Sequence, residues 1–223
     1  MSGRQVSITY FSDVLCIWAY IAELRVQEVK ANFANEVRFE ARFCNVFGNT
    51  ARKISAAWGG MHGYDGFNKH LREAVARFPE VKLNPDVWLR TRPVSSAGAH
   101  LFLKAVQLAN EGEANRADDA IRAMRRAFFD RNEDISALGV QRRVCAEADV
   151  DVRRAEAFIE SGEAYAALMA DYFDADVMKV AGSPTFLLND GRQKLYGNVG
   201  YHVIEANIQE LLREPASGQA SWC

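Results

Sequence analysis

Four cysteines are the side chains of this 223-residue sequence best suited to chemistry: Cys16, Cys44, Cys145 and Cys223. A thiolate is a nucleophile and a metal ligand, and spacing and surroundings decide which of these a cysteine becomes. No two of the four stand in the CxxC spacing of a zinc knuckle or a dithiol centre, so each is judged alone. Cys16 has the most informative context. Val6 to Phe11 is β-rich, SDVLC follows, and apolar residues then recur at Trp18, Ala22, Val26, Val29 and Phe33, with the gaps of four and three that mark a helix. Cys16 therefore opens a helix directly after a strand. Unpaired N–H groups and the positive end of the helix macrodipole favour the thiolate there, which predicts a pKa below the free value of about 8.5. A buried, inert cysteine is the alternative reading.

Other chemistry is sparse. His62, His70, His100 and His202 show no metal-ligand spacing and no carboxylate cluster joins them, so no metal is expected. The phosphate-binding and serine-nucleophile motifs GxGxxG, GxxxxGK[ST] and GxSxG are missing from the sequence. With 27 basic and 29 acidic residues the formal charge is -2 and both signs are scattered, which argues against nucleic acid or an anionic membrane as partner. No apolar run reaches the roughly 18 residues of a spanning helix, and the start MSGRQVSITYF lacks a signal-peptide h-region. The expectation is a cytoplasmic protein, whose reducing surroundings make structural disulfides unexpected.

The elements that must position Cys16 follow from periodicity. Glu36 to Phe43 alternates apolar and charged residues, giving a second strand and hence a βαβ unit with parallel strands. From Asn45 to about Val177 the pattern is helical, clearest at Ala97 to Ala109 and Ala117 to Phe129. Ser136 and Asp151 are expected helix caps, and Gly162 separates the last two helices. Ala57 to Gly66 carries four glycines and is expected to be a loop over a cleft, and Arg122, Arg125 and Arg126 to form a solvated helix face. Strand character returns at Thr185 to Leu188, with a turn at Asn189-Asp190-Gly191, a strand Gln193 to Tyr196 and a helix from about Val203 to Leu212. The expected architecture is α/β: a thioredoxin-like fold, βαβ plus ββα, over residues 1–44 and 178–214, with a large all-helical insertion at 45–177 and a flexible tail at 215–223.

FSDVLCIWAY resembles the active-site segment of the DsbA family: a strand, an acidic or polar turn, then C-x-W-C or C-P-W-C followed by Tyr. GSPTFLLNDGRQKLYG resembles that family's cis-proline loop and closing hairpin, and the likeness covers about residues 5–212. It implies Cys16 as nucleophile, Pro184 as the shaper of a substrate groove, and Ser183 and Thr185 as donors of backbone contacts. The departure is Ala19, which stands where the second redox cysteine would be. A mixed disulfide on Cys16 would then be released by an external thiol. Glutathione is the cosubstrate expected, with no tightly bound cofactor.

The sequence is also similar to kappa-class glutathione transferases and 2-hydroxychromene-2-carboxylate isomerases, which carry a serine at the position of Cys16 and also lack the second cysteine. Gly48-Asn49 resembles a Gly-Asn of those relatives, implying that Asn49 hydrogen-bonds substrate; a helix-capping turn asparagine is the competing reading. Asn198 is carried over in the same way, from a segment that contacts the γ-glutamyl end of glutathione. Trp18 is expected to pack over the thiol at the cleft. Cys44 ends the second strand and is a candidate resolving thiol, Cys145 reads as filler, and Cys223 could loop back or cross-link two chains. The favoured reading is a DsbA-like thiol-disulfide oxidoreductase with one active-site cysteine, acting on a small thiol or disulfide or on a protein disulfide. A glutathione-dependent isomerase or transferase, and a non-catalytic binding module, are the alternatives, and a homodimer is compatible with each.

Overall fold

The computed structural model describes residues 5–111 and 114–213. Strand β1 (Val6–Ser12) leads through a turn into α1 (Ile17–Ile21) and α2 (Glu23–Asn32), then into β2 (Val37–Phe43). Ala22 separates the two helices, so the continuous helix expected from the apolar spacing is broken after one turn. Helices α3 (Thr50–Trp58), α4 (Gly63–Val75), α5 (Ala97–Ala109), α6 (Ala114–Phe129), α7 (Leu138–Glu147), α8 (Val152–Glu160) and α9 (Glu163–Val177) follow before β3 (Thr185–Leu188), β4 (Gln193–Tyr196) and α10 (Tyr201–Arg213). The sheet order is β2-β1-β3-β4. β1 and β2 are parallel, in register from Val6 opposite Val37 to Ser12 opposite Phe43, while β3 and β4 run antiparallel to their neighbours. This is a thioredoxin-type sheet with a helical insertion between β2 and β3.

Strand alternation divides the core. Val6, Ile8 and Tyr10 of β1, with Phe186 and Leu188 of β3, face α2 and α10 and pack on Val26, Val29, Phe33, Ile204, Ile208 and Leu211. Phe11 and Leu187 point to the other face, where Cys44 and Ala175 join them. The insertion is built round α5, whose Ala99, His100, Phe102, Leu103, Lys104, Ala105 and Val106 are all buried. It also closes the outer edge of β2: Gln107 Nε2 donates to Ala41 O at 2.9 Å and Phe43 N donates to Asp171 Oδ2 at 3.0 Å.

Three sequence expectations are corrected. The glycine-rich stretch 57–66 is helical, divided among α3, a single 3-10 turn at Gly59–Met61 and α4. Its glycines serve the junction: Gly63 takes φ +56°, and a Cβ on Gly66 would sit 1.8 Å from Met61 O. Ser136 caps no helix; α7 begins one residue later, with Ala137 at the N-cap, and the Ser136 hydroxyl turns to Asp134. Asp151 does cap α8, accepting from Arg154 N at 3.1 Å.

Arg125 is the third correction, because it is buried at 3% exposure rather than solvated. It lies one helical turn after Ile121 and three residues before Phe128, so it shares their inward face. There it donates to Glu23 Oε1 at 3.1 Å and to Ser12 Oγ at 2.7 Å, joining α6 to α2 and to the end of β1. Burial pushes the Glu23 carboxyl up to about 6, against the pull of the guanidinium. Arg125→Met, which leaves that carboxyl unpaired inside, is expected to lower stability in urea unfolding by about 3–5 kcal/mol, whereas Arg125→Met with Glu23→Leu recovers most of the loss.

Candidate functional site

The site begins where β1 stops. Asp13 follows the last residue of β1 with 0% exposure, and four donors hold its carboxylate. Leu15 N donates to Oδ1 at 2.9 Å; Val46 N, Phe47 N and Ser96 Oγ donate to Oδ2 at 3.0, 2.8 and 2.9 Å. Those donors come from the Asp13 turn itself, the segment after β2 and the residue preceding α5. Hydrogen bonds to a charged group contribute about 1.5–3 kcal/mol each, which is what offsets the cost of burying the carboxylate. The Asp13 backbone adds two ties: its N–H donates to Ser183 Oγ at 2.9 Å and its carbonyl accepts from Cys16 N at 3.1 Å.

Cys16 is the N-cap of α1, with extended backbone at φ -86° and ψ 117°. Its Sγ donates to Ser183 O at 3.1 Å, and the Ser183–Pro184 peptide is cis. Pro184 is buried, its carbonyl accepting from Gly197 N at 2.9 Å, and the Thr185 hydroxyl donates to Gly182 O at 2.8 Å. Cys16, Ser183, Pro184 and Thr185 are thus brought together, with Trp18 partly buried on α1 beside them. Ala19 is fully buried one turn into the helix, and no thiol stands there.

The thiol's electrostatics differ from the expectation drawn from a helix start. Burial pushes the Cys16 thiol above its ordinary value; the Ser183 side chain and the Ala19 and Trp18 N–H groups pull the other way, and the charge of Asp13 adds to the rise. Desolvation outweighs the helix-terminal amides because Cys16 is only 6% exposed. His100 supplies no base. Val14 N donates to its Nε2 at 3.1 Å, so that nitrogen holds a lone pair and the ring proton is on Nδ1, facing Tyr172 Oη at 2.8 Å. The 3.6 Å approach of Nε2 to Asp13 Oδ1 therefore carries no proton, and burial lowers the His100 pKa to about 4.

The remaining sequence candidates have partners of their own. Asn49 is the N-cap of α3, its Oδ1 accepting from Arg52 N at 2.9 Å. Asn198 accepts from Arg25 of α2, whose guanidinium also donates to Val199 O at 3.2 Å. Cys44 is buried with Phe11, Ala175 and Leu187, where desolvation pushes its thiol far up and the charges of Asp13 and Cys16 add to the rise. Cys145 is buried in α7, its thiol pushed up to about 12 by burial. All three are free thiols; Cys223 falls outside the described residues.

Sequence reasoning missed four contributors: Asp13, Ser96, His100 and Tyr196. Asp13 stands three residues before Cys16, a local signal, but its partners lie 33, 34 and 83 positions away. Tyr196, 59% exposed on β4, lays its hydroxyl against Gly182, where a Cβ would come within 2.9 Å of it. This tyrosine flanks the cis-proline loop. A cavity of about 240 Å³ between α2 and α6, lined by Tyr20, Glu23, Arg122 and Arg126 among others, does not include Cys16.

Residues 7–209 match the model of the DSBA-like thioredoxin domain. Among solved structures, a probable DsbA oxidoreductase from Streptomyces coelicolor aligns with a TM-score of 0.74 at 19% identity, over 97% of this chain and 94% of that one. The cytosolic disulfide reductase DsbM from Pseudomonas aeruginosa, solved with GSH, aligns at 0.64 and 19% identity over 91% and 99%. A 2-hydroxychromene-2-carboxylate isomerase aligns at 0.67 and 15% identity over 96% and 100%. At these identities the likeness is one of fold. No curated protein matches in sequence.

Two titrations check this site. Iodoacetamide labelling of the native protein should modify Cys16 with a midpoint above the ordinary cysteine value, leaving Cys44 and Cys145 unlabelled until the chain unfolds; a midpoint well below 8 would contradict the dominance of burial. His100 is harder to protonate folded than unfolded, so the unfolded chain takes up that proton first as pH falls from about 6.5 to about 4. Its contribution, on the order of 3 kcal/mol, is lost across that window, and urea unfolding of His100→Gln should show the flatter acid limb.

Proposed function

The chain belongs to the DSBA-like thioredoxin domain family, and we propose that it is a thiol-disulfide oxidoreductase working with Cys16 alone and an external thiol such as glutathione. The observation that supports this reading is the Cys16 Sγ at the start of α1, 3.1 Å from Ser183 O on the cis-proline loop, with buried Ala19 in place of a second cysteine. The turn at Gly182-Ser183-Pro184 ahead of β3 is where a substrate would approach Cys16, and Tyr196 and Trp18 offer it apolar surface.

In the first step the Cys16 thiol loses its proton to solvent, and the thiolate attacks the glutathione sulfur of a glutathionylated substrate thiol. An S–S bond forms to Cys16, the substrate S–S bond breaks, and the leaving thiolate takes up a proton. In the second step the thiolate of glutathione attacks the glutathione sulfur of the mixed disulfide, restoring Cys16 and leaving oxidised glutathione. The substrate is released as its free thiol, and the glutathione it carried leaves joined to the incoming one as oxidised glutathione. The Ala19 and Trp18 N–H groups face charge as it forms on sulfur, and Ser183 O accepts the S–H in the resting state. Because burial disfavours the thiolate, the first step should quicken as pH rises towards and beyond 9.

Reduction of a glutathionylated peptide by glutathione tests the reading: turnover with wild type, none with Cys16→Ser, and a trapped glutathione adduct on Cys16 by mass spectrometry. Ala19→Cys should convert the site to a dithiol that oxidises to an internal disulfide and no longer accumulates the adduct. Glutathione binding that survives Cys16→Ser, with activity on an aromatic electrophile and none on disulfides, would favour a glutathione-dependent isomerase or transferase instead.

A further inference from the structure

The outward face of helix α9 is apolar. Ala164, Leu168, Asp171 and Ala175 are buried inward, while the outward side exposes Tyr165, Met169, Phe173 and Val177, each to more than half of its surface. Ala166 and Ala170, also exposed, lie between them. At 3.6 residues per turn these six positions share an arc of about 140°, and the only charged group within it is Asp176. Single exposed apolar residues are ordinary, but four large ones in an i, i+4 row form a continuous patch, and such a patch marks a surface that something covers.

We propose that the outer face of α9 is the interface of a twofold-symmetric dimer, in which a second copy of the chain lays its own α9 antiparallel across this one. A twofold axis reverses chain direction and keeps each edge of the face opposite the same edge of its copy. Centred between Met169 and Phe173, it sets Met169 on the partner's Phe173 and Val177 over the partner's Ala166, large against small. Tyr165 and Asp176 lie on one edge of the arc, so the Tyr165 hydroxyl meets the partner's Asp176 carboxylate, and the reciprocal pair forms by symmetry. The face's only charge thereby receives a donor. Exposed to half or more, with about 150–250 Å² for each aromatic ring, the row offers on the order of 400 Å² per copy. With the alanines and the rim added, the total approaches the roughly 1,000 Å² that separates a specific interface from a casual contact.

Analytical ultracentrifugation of the full chain, kept reduced so that Cys223 cannot cross-link, tests this directly. Wild type should sediment as a dimer at micromolar concentration. Phe173→Glu should sediment as a monomer with an unchanged melting curve, since Phe173 is 67% exposed in the single chain. Tyr165→Arg should remain dimeric with several-fold tighter association, because the guanidinium faces the partner's Asp176. A monomeric wild type, a dimer indifferent to Phe173→Glu, or a Tyr165→Arg variant that dissociates as fully as Phe173→Glu would each overturn the proposal.

Discussion

One buried carboxylate organises the working end of this fold. Asp13 accepts from its own turn, from the two residues that redirect the chain after β2, and from the residue that opens α5, while its backbone holds Ser183 and Cys16. The sheet, the helical insertion and the cis-proline loop meet at that single residue. A carboxylate is suited to the task because its two oxygens accept several donors at once, and because a charge withdrawn from water demands that they stay in place. The turn that carries Cys16 therefore holds its shape through polar restraint, in a region whose surroundings are otherwise apolar.

Burial, more than charge, sets the thiol's chemistry. Arg125, Glu23 and Ser12 form a second buried polar group next to Asp13 in the chain, in which the guanidinium offsets the carboxylate. Cys16 sits at a helix start, where the amides favour a thiolate, and inside a desolvated pocket, where burial opposes it; the second effect is larger. A site so arranged keeps its sulfur protonated at rest and exposes little of it to adventitious oxidation. Reactivity then depends on what a substrate brings, including an orientation along the cis-proline loop, more than on a standing population of thiolate.

Much of the architecture was legible because it depends on local periodicity. The alternation of Val37, Phe39, Ala41 and Phe43, the turn at Asn189-Asp190-Gly191 and the apolar phase of α5 and α6 each identify an element without reference to any other. The pairing of Cys16 with Ser183-Pro184 was legible through resemblance. The polar framework was not, because its contacts join residues 33 to 170 positions apart, and neither Ser96 nor His100 carries a local sign of its partner. Arg125 shows how a residue type misleads: charge suggested water, whereas its phase with Ile121 and Phe128 pointed inward. Asn49 was legible in one respect, since its Oδ1 caps α3, as the reading from its turn position had it.

The closing of β2 by Gln107 and Asp171 bears on how such a protein avoids self-destruction when crowded. A parallel strand at the border of a sheet is a template for any extended segment that drifts past, and growth from such a template has no natural end. Here a newcomer would have to evict a glutamine from Ala41 O and a carboxylate from Phe43 N before gaining its first two bonds, and α5 and α9 would bar the remainder. The insertion thus doubles as a cover against polymerisation. The opposite border is only the four residues of β4, with Lys194 on it, too short and too charged to seed a fibre.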